Sequence, residues 1–177
     1  MDEINIGVER AIERDVKRCR YAVVRCDRTH GADGFYSVGM CASFGRPELL
    51  LFGLPAEQAL DLMYAVAWRY AKGERFDDGV VVENLLPLRV TMKHVDIATT
   101  ARWAPYALSF CRARTLVPAF TQLVIADASG RFPWDAAYAG RTGAARPWPS
   151  EDHVYALPDA AVLAALTARG AGIAMSA

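Results

Sequence analysis

The chain has 177 residues, 53% of them hydrophobic, and its 20 Lys and Arg balance 20 Asp and Glu to a formal net charge of zero. That size fits one globular domain with a sizeable core, and the charge balance provides no global field for nucleic acid or an anionic membrane. The opening "MDEINIGVERAIERD" is acidic and lacks the apolar stretch of a signal peptide, and no later run is long enough to span a bilayer, so a cytoplasmic protein is expected.

The first element is a helix, because Val8, Ala11, Ile12, Val16 and Cys19 recur at helical offsets while Glu9, Arg10, Glu13, Arg14 and Lys17 fill the other face. Asn5 is its expected cap. "YAVVRC" then reads as a strand, "DRTHGADG" as a loop and "FYSVGMC" as a second strand ending at Cys41, which makes a hairpin. The polar segment 43–48, Ser-Phe-Gly-Arg-Pro-Glu, follows as a connector between strands. "ELLLFG" is a continuous apolar run, expected as a central strand buried on both faces.

Pro55 starts a helix in which Ala59, Leu62, Met63, Val66, Ala67 and Tyr70 form one stripe, and Gly73 ends it. "VVVENLLP" fits more than one element. "LRVTMKHV" alternates as a strand with one buried face, placing His94 with Val90 and Met92. A third helix is expected over about residues 100 to 113, with Pro105 in its first turn or kinking it. "AFTQLVIA" is another interior strand and "DASG" a turn. Residues 139–153 read as an irregular loop and residues 158–169 as a closing helix. The expected fold is a single α+β domain, a mixed or mostly antiparallel sheet of about five strands with three to four helices.

Four cysteines, Cys19, Cys26, Cys41 and Cys111, have neither CxxC spacing nor the density of a disulfide scaffold, and are expected as reduced, mostly buried thiols. His30, His94 and His153 are scattered, so no metal ligand set is assigned. No GxxxxGK or GxGxxG is present, and no cofactor is indicated by motif. His94 on an apolar face could act as acid or base, with Cys41 as a thiol partner; a structural hydrogen bond and an inert thiol are the commoner roles of such residues. Gln122 interrupts an apolar strand and needs hydrogen-bond partners if buried.

Aromatic side chains in loops, Trp134 and Trp148, suit ligand or partner contact. A site combining Arg46 and Glu48 with Gln122, Asp127, Arg131, Trp134 and Asp135 would join the connector to "ASGRFPWD" and hold an unknown protein or a small polar ligand. The rival reading is an enzyme using His94, with Cys41 or Gln122 nearby.

The stretches "FYSVGMCASFGRPELLLFGLPAEQALDLM", "GERFDDG" and "FTQLVIADASGRFPWDAAY" together resemble a bacterial family, domain of unknown function 4262, over about residues 27 to 138. The resemblance implies a small α+β domain of the bacterial cytosol and transfers no catalytic residue. The family pattern often has His where Arg46 stands, and Trp and Pro where Ile125 and Ala126 stand, so a role resting on that His does not carry over. "SVGM", "PELLL" and the proline-initiated helix also resemble suppressor-of-fused-like immunity proteins, which implies partner binding. "GMCASF" before "PELLLFG" is similar to flavin-reductase split barrels, where that stretch lies against the flavin.

Overall fold

A computed structural model describes residues 3–26, 34–86, 88–101 and 103–138. In chain order the elements are α1 (Glu3–Cys19), β1 (Ala22–Cys26), β2 (Gly34–Val38), α2 (Met40–Phe44), β3 (Glu48–Phe52), α3 (Ala56–Ala71), β4 (Val81–Leu85), β5 (Leu88–Val95), α4 (Ile97–Thr100), α5 (Pro105–Arg112) and β6 (Phe120–Ile125). The expected loop at 139–153, the helix at 158–169 and Trp148 lie outside the described residues.

The strands form one six-stranded sheet in the order β1-β2-β3-β6-β5-β4. β3 and β6 run parallel, with Glu48 opposite Phe120 and Leu51 opposite Leu123, and the other neighbours are antiparallel. The α+β class therefore holds, with six strands rather than about five; the additional strand is the ambiguous "VVVENLLP", whose Val81–Leu85 segment pairs with β5. Among the described residues β1 and β4 are the edges of this sheet.

Strand alternation divides the core in two. Phe35, Leu49, Leu51, Leu123, Ile125, Val90 and Met92 face α3, whose buried stripe is the predicted Ala59, Leu62, Met63, Val66, Ala67 and Tyr70. Tyr36, Val38, Leu50, Phe52 and Phe120 face Ile12 of α1 and Ala107, Leu108 and Phe110 of α5. β3 is sandwiched between these layers, so Leu49, Leu50 and Leu51 are at most 1% exposed. At roughly 1.5–3 kcal/mol for each fully buried aliphatic side chain, this strand is a main source of stability.

Three local expectations change. Asn5 lies within α1 rather than at its cap. The second strand stops at Val38, because Gly39 turns to φ 107 and residues 40–44 coil into the short helix α2, which places Cys41 on a helix. A Cβ at position 39 would sit 2.9 Å from both Cγ atoms of Val16, so glycine is required on steric as well as conformational grounds. The single helix expected over about 100 to 113 is split into α4 and α5, with Pro105 in the first turn of α5 where its missing N–H costs nothing.

Candidate functional site

The segment 43–48 comprises the end of α2, the turn at Gly45 (φ 61) and the first residue of β3. Its two charged side chains point to different places. Arg46 donates from Nε to the Glu74 carbonyl at 2.7 Å and from Nη2 to the Gly73 carbonyl at 2.8 Å, clipping the turn after α3. Glu48 is 0% exposed. The expected Arg46–Glu48 grouping is thus divided between an outer cleft and an inner cluster.

The inner cluster is built around the Glu48 carboxylate. Its Oε1 accepts from the backbone N–H of Gly39 at 2.8 Å and of Cys41 at 3.1 Å, and its Oε2 accepts from Ser37 Oγ at 2.5 Å. Ser37 Oγ in turn accepts from the N–H of Leu49 at 2.8 Å. These donors make a buried charge tolerable, and they lock the exit of β2 to the start of β3.

Beside this carboxylate, Cys41 Sγ lies 2.9 Å from Cys111 Sγ on α5, and both thiols are free. Ligand atoms of Cys41, Glu48 and Cys111 all fall within 4.8 Å of one another. The hydrogen bond with Cys111, then burial and the Glu48 charge push the Cys41 thiol far up. The same hydrogen bond holds the Cys111 thiol below its ordinary value against the effect of burial, with help from the Arg114 charge.

The outer cleft has a volume of about 460 Å³ and lies between the α1–β1 link, segment 43–48 and α3. Tyr21, Phe44, Tyr64, Trp68 and Tyr70 provide rings, Arg20 and Arg46 provide positive charge, and no carboxylate lines it. Arg20 takes φ 74, and its guanidinium donates to the Ser43 carbonyl at 2.6 Å while its own carbonyl accepts from Ser43 Oγ at 2.5 Å. Those two bonds hold a backbone conformation that costs a non-glycine residue roughly 1–2 kcal/mol. Tyr64 is 65% and Trp68 50% exposed, and Lys72 Nζ sits 3.4 Å over the Trp68 ring.

The other predicted site residues lie elsewhere. His94 shares the face of Val90 and Met92, yet it is exposed near the end of β5 rather than buried. Its backbone N–H donates to Asp78 Oδ1 at 2.8 Å. Cys41 makes its sulfur contact with Cys111, not with His94. Gln122 is 2% exposed on β6, between Leu50 and Lys93.

Asp127, 4% exposed, accepts at Oδ1 from the N–H groups of Ser129 and Arg131, both at 2.9 Å, and its Oδ2 lies 3.6 Å from Arg131 Nε. Asp135 Oδ2 accepts from the Phe132 N–H at 2.7 Å. Both carboxylates thereby shape their own loop. Trp134 stacks on Phe132 with centroids 5.3 Å apart, and the two rings lie under Lys93 and Arg89 of β5, each cation 5.5 Å from its ring centroid.

Among the described residues, segments 43–48 and 127–135 do not share one cleft. β3 and β6 are parallel, so segment 43–48 enters at the end of the pair where β6 begins, while 127–135 leaves from the far end, about 17 Å away at about 3.3 Å per residue. No residue of 127–135 lines the cleft beside Arg46. Cys111, Ser37 and the cleft residues Arg20, Tyr21, Tyr64 and Trp68 were not singled out from the sequence. A buried carboxylate was signalled by Glu48 sharing strand parity with Leu50 and Phe52, but no spacing pointed to Cys111, 70 residues from Cys41.

No helix among the described residues is long and apolar enough to cross a membrane. No curated protein and no solved structure matches the chain. A family profile described as Domain of unknown function (DUF4262) matches residues 15–139, which include the inner cluster and every residue lining the outer cleft. With most of its length in that match, the chain belongs to the DUF4262 family.

Proposed function

We propose that this protein is a bacterial cytoplasmic binding domain whose cleft beside residues 43–48 takes a small anionic ligand carrying an aromatic or other flat apolar group. The observation that carries the reading is the cleft's lining: five aromatic rings and two guanidinium groups with no carboxylate, in about 460 Å³. That volume lies within the roughly 300–1,000 Å³ usual for small-molecule sites. Rings supply stacking area, and the Arg20 and Arg46 guanidinium groups, held in place by backbone carbonyls, supply fixed positive charge for a carboxylate or phosphate.

A second groove of about 530 Å³ runs between α1 and α5, but Glu9, Arg10 and Glu13 give it mixed charge. Its residues Ile6 to Glu13 also precede the family match, whereas the cleft beside Arg46 falls wholly within it. A protein partner is favoured by one observation, the exposed Leu60, Tyr64 and Trp68 spaced four residues apart on α3.

Thermal unfolding with a panel of aromatic carboxylates, aryl phosphates and their neutral analogues tests the small-ligand reading. A ligand present at a hundred times its Kd stabilises by about 2.7 kcal/mol. The expected result is stabilisation by anionic members only, lost in Trp68→Ala and reduced in Arg46→Ala. Equal stabilisation by neutral analogues, or no response from any member of the panel, would overturn it.

A further inference from the structure

We propose that Cys41, Cys111 and Glu48 form a binding site for a thiophilic d10 cation, zinc in the first instance. The site is separate from the outer cleft and does not depend on the cleft having a ligand. Two sulfurs and a carboxylate from three different elements converge with their ligand atoms within 4.8 Å of one another. Cys111 and Glu48 are fully buried and Cys41 is partly so.

Donor chemistry favours a soft cation, since paired cysteine sulfurs select zinc or copper(I) over magnesium and calcium. Glu48 is already oriented for the task. Oε1 accepts two backbone N–H groups, while among the described residues Oε2 accepts from Ser37 Oγ and faces the Cys41 thiol. Such outer hydrogen bonds are what hold a metal-binding carboxylate in place. The present Sγ···Sγ separation is 2.9 Å. Two sulfurs on one tetrahedral zinc, at about 2.3 Å from it, stand about 3.8 Å apart, so binding requires the thiols to open by about 0.9 Å.

Binding displaces the thiol protons to buffer, and the cation replaces them between two thiolates and a carboxylate. Without it, that cluster either keeps its protons or gathers negative charge in a buried place. Closure to a disulfide would reduce the separation instead, but it uses neither the carboxylate nor its preformed hydrogen bonds, and it requires an oxidant to reach buried Cys111.

The test uses the full chain with Cys19→Ser, which removes an exposed competing thiol. Reduced protein is titrated with cobalt(II) as a spectroscopic stand-in for zinc, and thiol alkylation is mapped by mass spectrometry with and without zinc alone. The proposal expects one equivalent of cobalt with a sulfur-to-metal charge-transfer band. That band should be absent in Cys41→Ser and Cys111→Ser, and Glu48→Gln should bind about tenfold or more weakly. Zinc should protect Cys41 from alkylation in the parent, which serves as the measurement if a cysteine variant does not fold. A band that survives Cys111→Ser, no band together with unprotected Cys41, or conversion to a Cys41–Cys111 disulfide with no metal uptake by the reduced form would each overturn it.

Discussion

Replacing Glu48 separates the effect of a charge from the effect of an acceptor. In Glu48→Ala the N–H groups of Gly39 and Cys41 lose the oxygen they share at 2.8 and 3.1 Å, inside a part of the fold where Glu48 is 0% exposed. A buried donor left unpaired costs about 1–3 kcal/mol, so the two together cost about 2–6 kcal/mol; the Ser37 hydroxyl can rotate and adds little. Glu48→Gln keeps an amide oxygen for both N–H groups; it loses the charge assistance and, because its amide nitrogen donates, the acceptor of the Ser37 hydroxyl, which can rotate, about 1–2 kcal/mol in all. With a urea m-value of about 2 kcal/mol/M, a loss of about 4 kcal/mol lowers the unfolding midpoint by about 2 M. Urea denaturation of the reduced proteins should therefore rank parent above Gln above Ala, at similar m. An alanine variant within about 0.5 kcal/mol of the parent, or a glutamine variant as damaged as alanine, would refute the assignment of Glu48 as the acceptor that ties β2, α2 and β3 together.

Gly39→Ala should cost at least about 1–3 kcal/mol from backbone strain at φ 107, with more from the 2.9 Å approach to Val16, and a thermal midpoint equal to the parent's would contradict the turn described. Asp78 carries a pH prediction: burial works to raise its carboxyl, but the His94 backbone N–H and the Lys93 ammonium outweigh that and hold it below its ordinary 3.8. A depressed folded value means that the stabilisation is present above the unfolded value and lost as pH falls through the folded one. The stability gap between parent and Asp78→Asn should thus be constant at neutral pH and close below about pH 4, and a gap that widens in acid would show the sign to be wrong.

Elements with an unmixed period were legible in the sequence. The α3 stripe needs only its helical repeat, and "ELLLF" needs only its length and continuous apolarity to be placed at the centre of a sheet. "VVVENLLP" was ambiguous because short apolar runs suit helix and strand alike, and only pairing with β5 decides it. His94 shows a different limit. Alternation assigned its face correctly, but whether that position is buried is a property of packing.

The separation of segment 43–48 from 127–135 also lies beyond periodicity, because it follows from the parallel pairing of β3 with β6. Had that pair been antiparallel, the two loops would share one end. Cys111 was hidden for a related reason: its contact with Cys41 depends on α5 covering the same sheet face towards which Glu48 points, and no ligand spacing encodes that. Of the cleft rings, Tyr70 was placed on the α3 stripe, Tyr21 in a strand and Phe44 in the connector, while their juxtaposition with Arg20 and Arg46 needed the turn at α1–β1.

Anomalous diffraction at the zinc absorption edge, from crystals of reduced protein grown with one equivalent of zinc, tests most directly whether segment 43–48 organises a site rather than merely turning the chain. The account predicts a single strong peak about 2.3 Å from the sulfurs of both Cys41 and Cys111 and within about 2.2 Å of a Glu48 oxygen. Density with Cys41, Cys111 and Glu48 in place and no peak among them, or zinc found only at other residues, would contradict it.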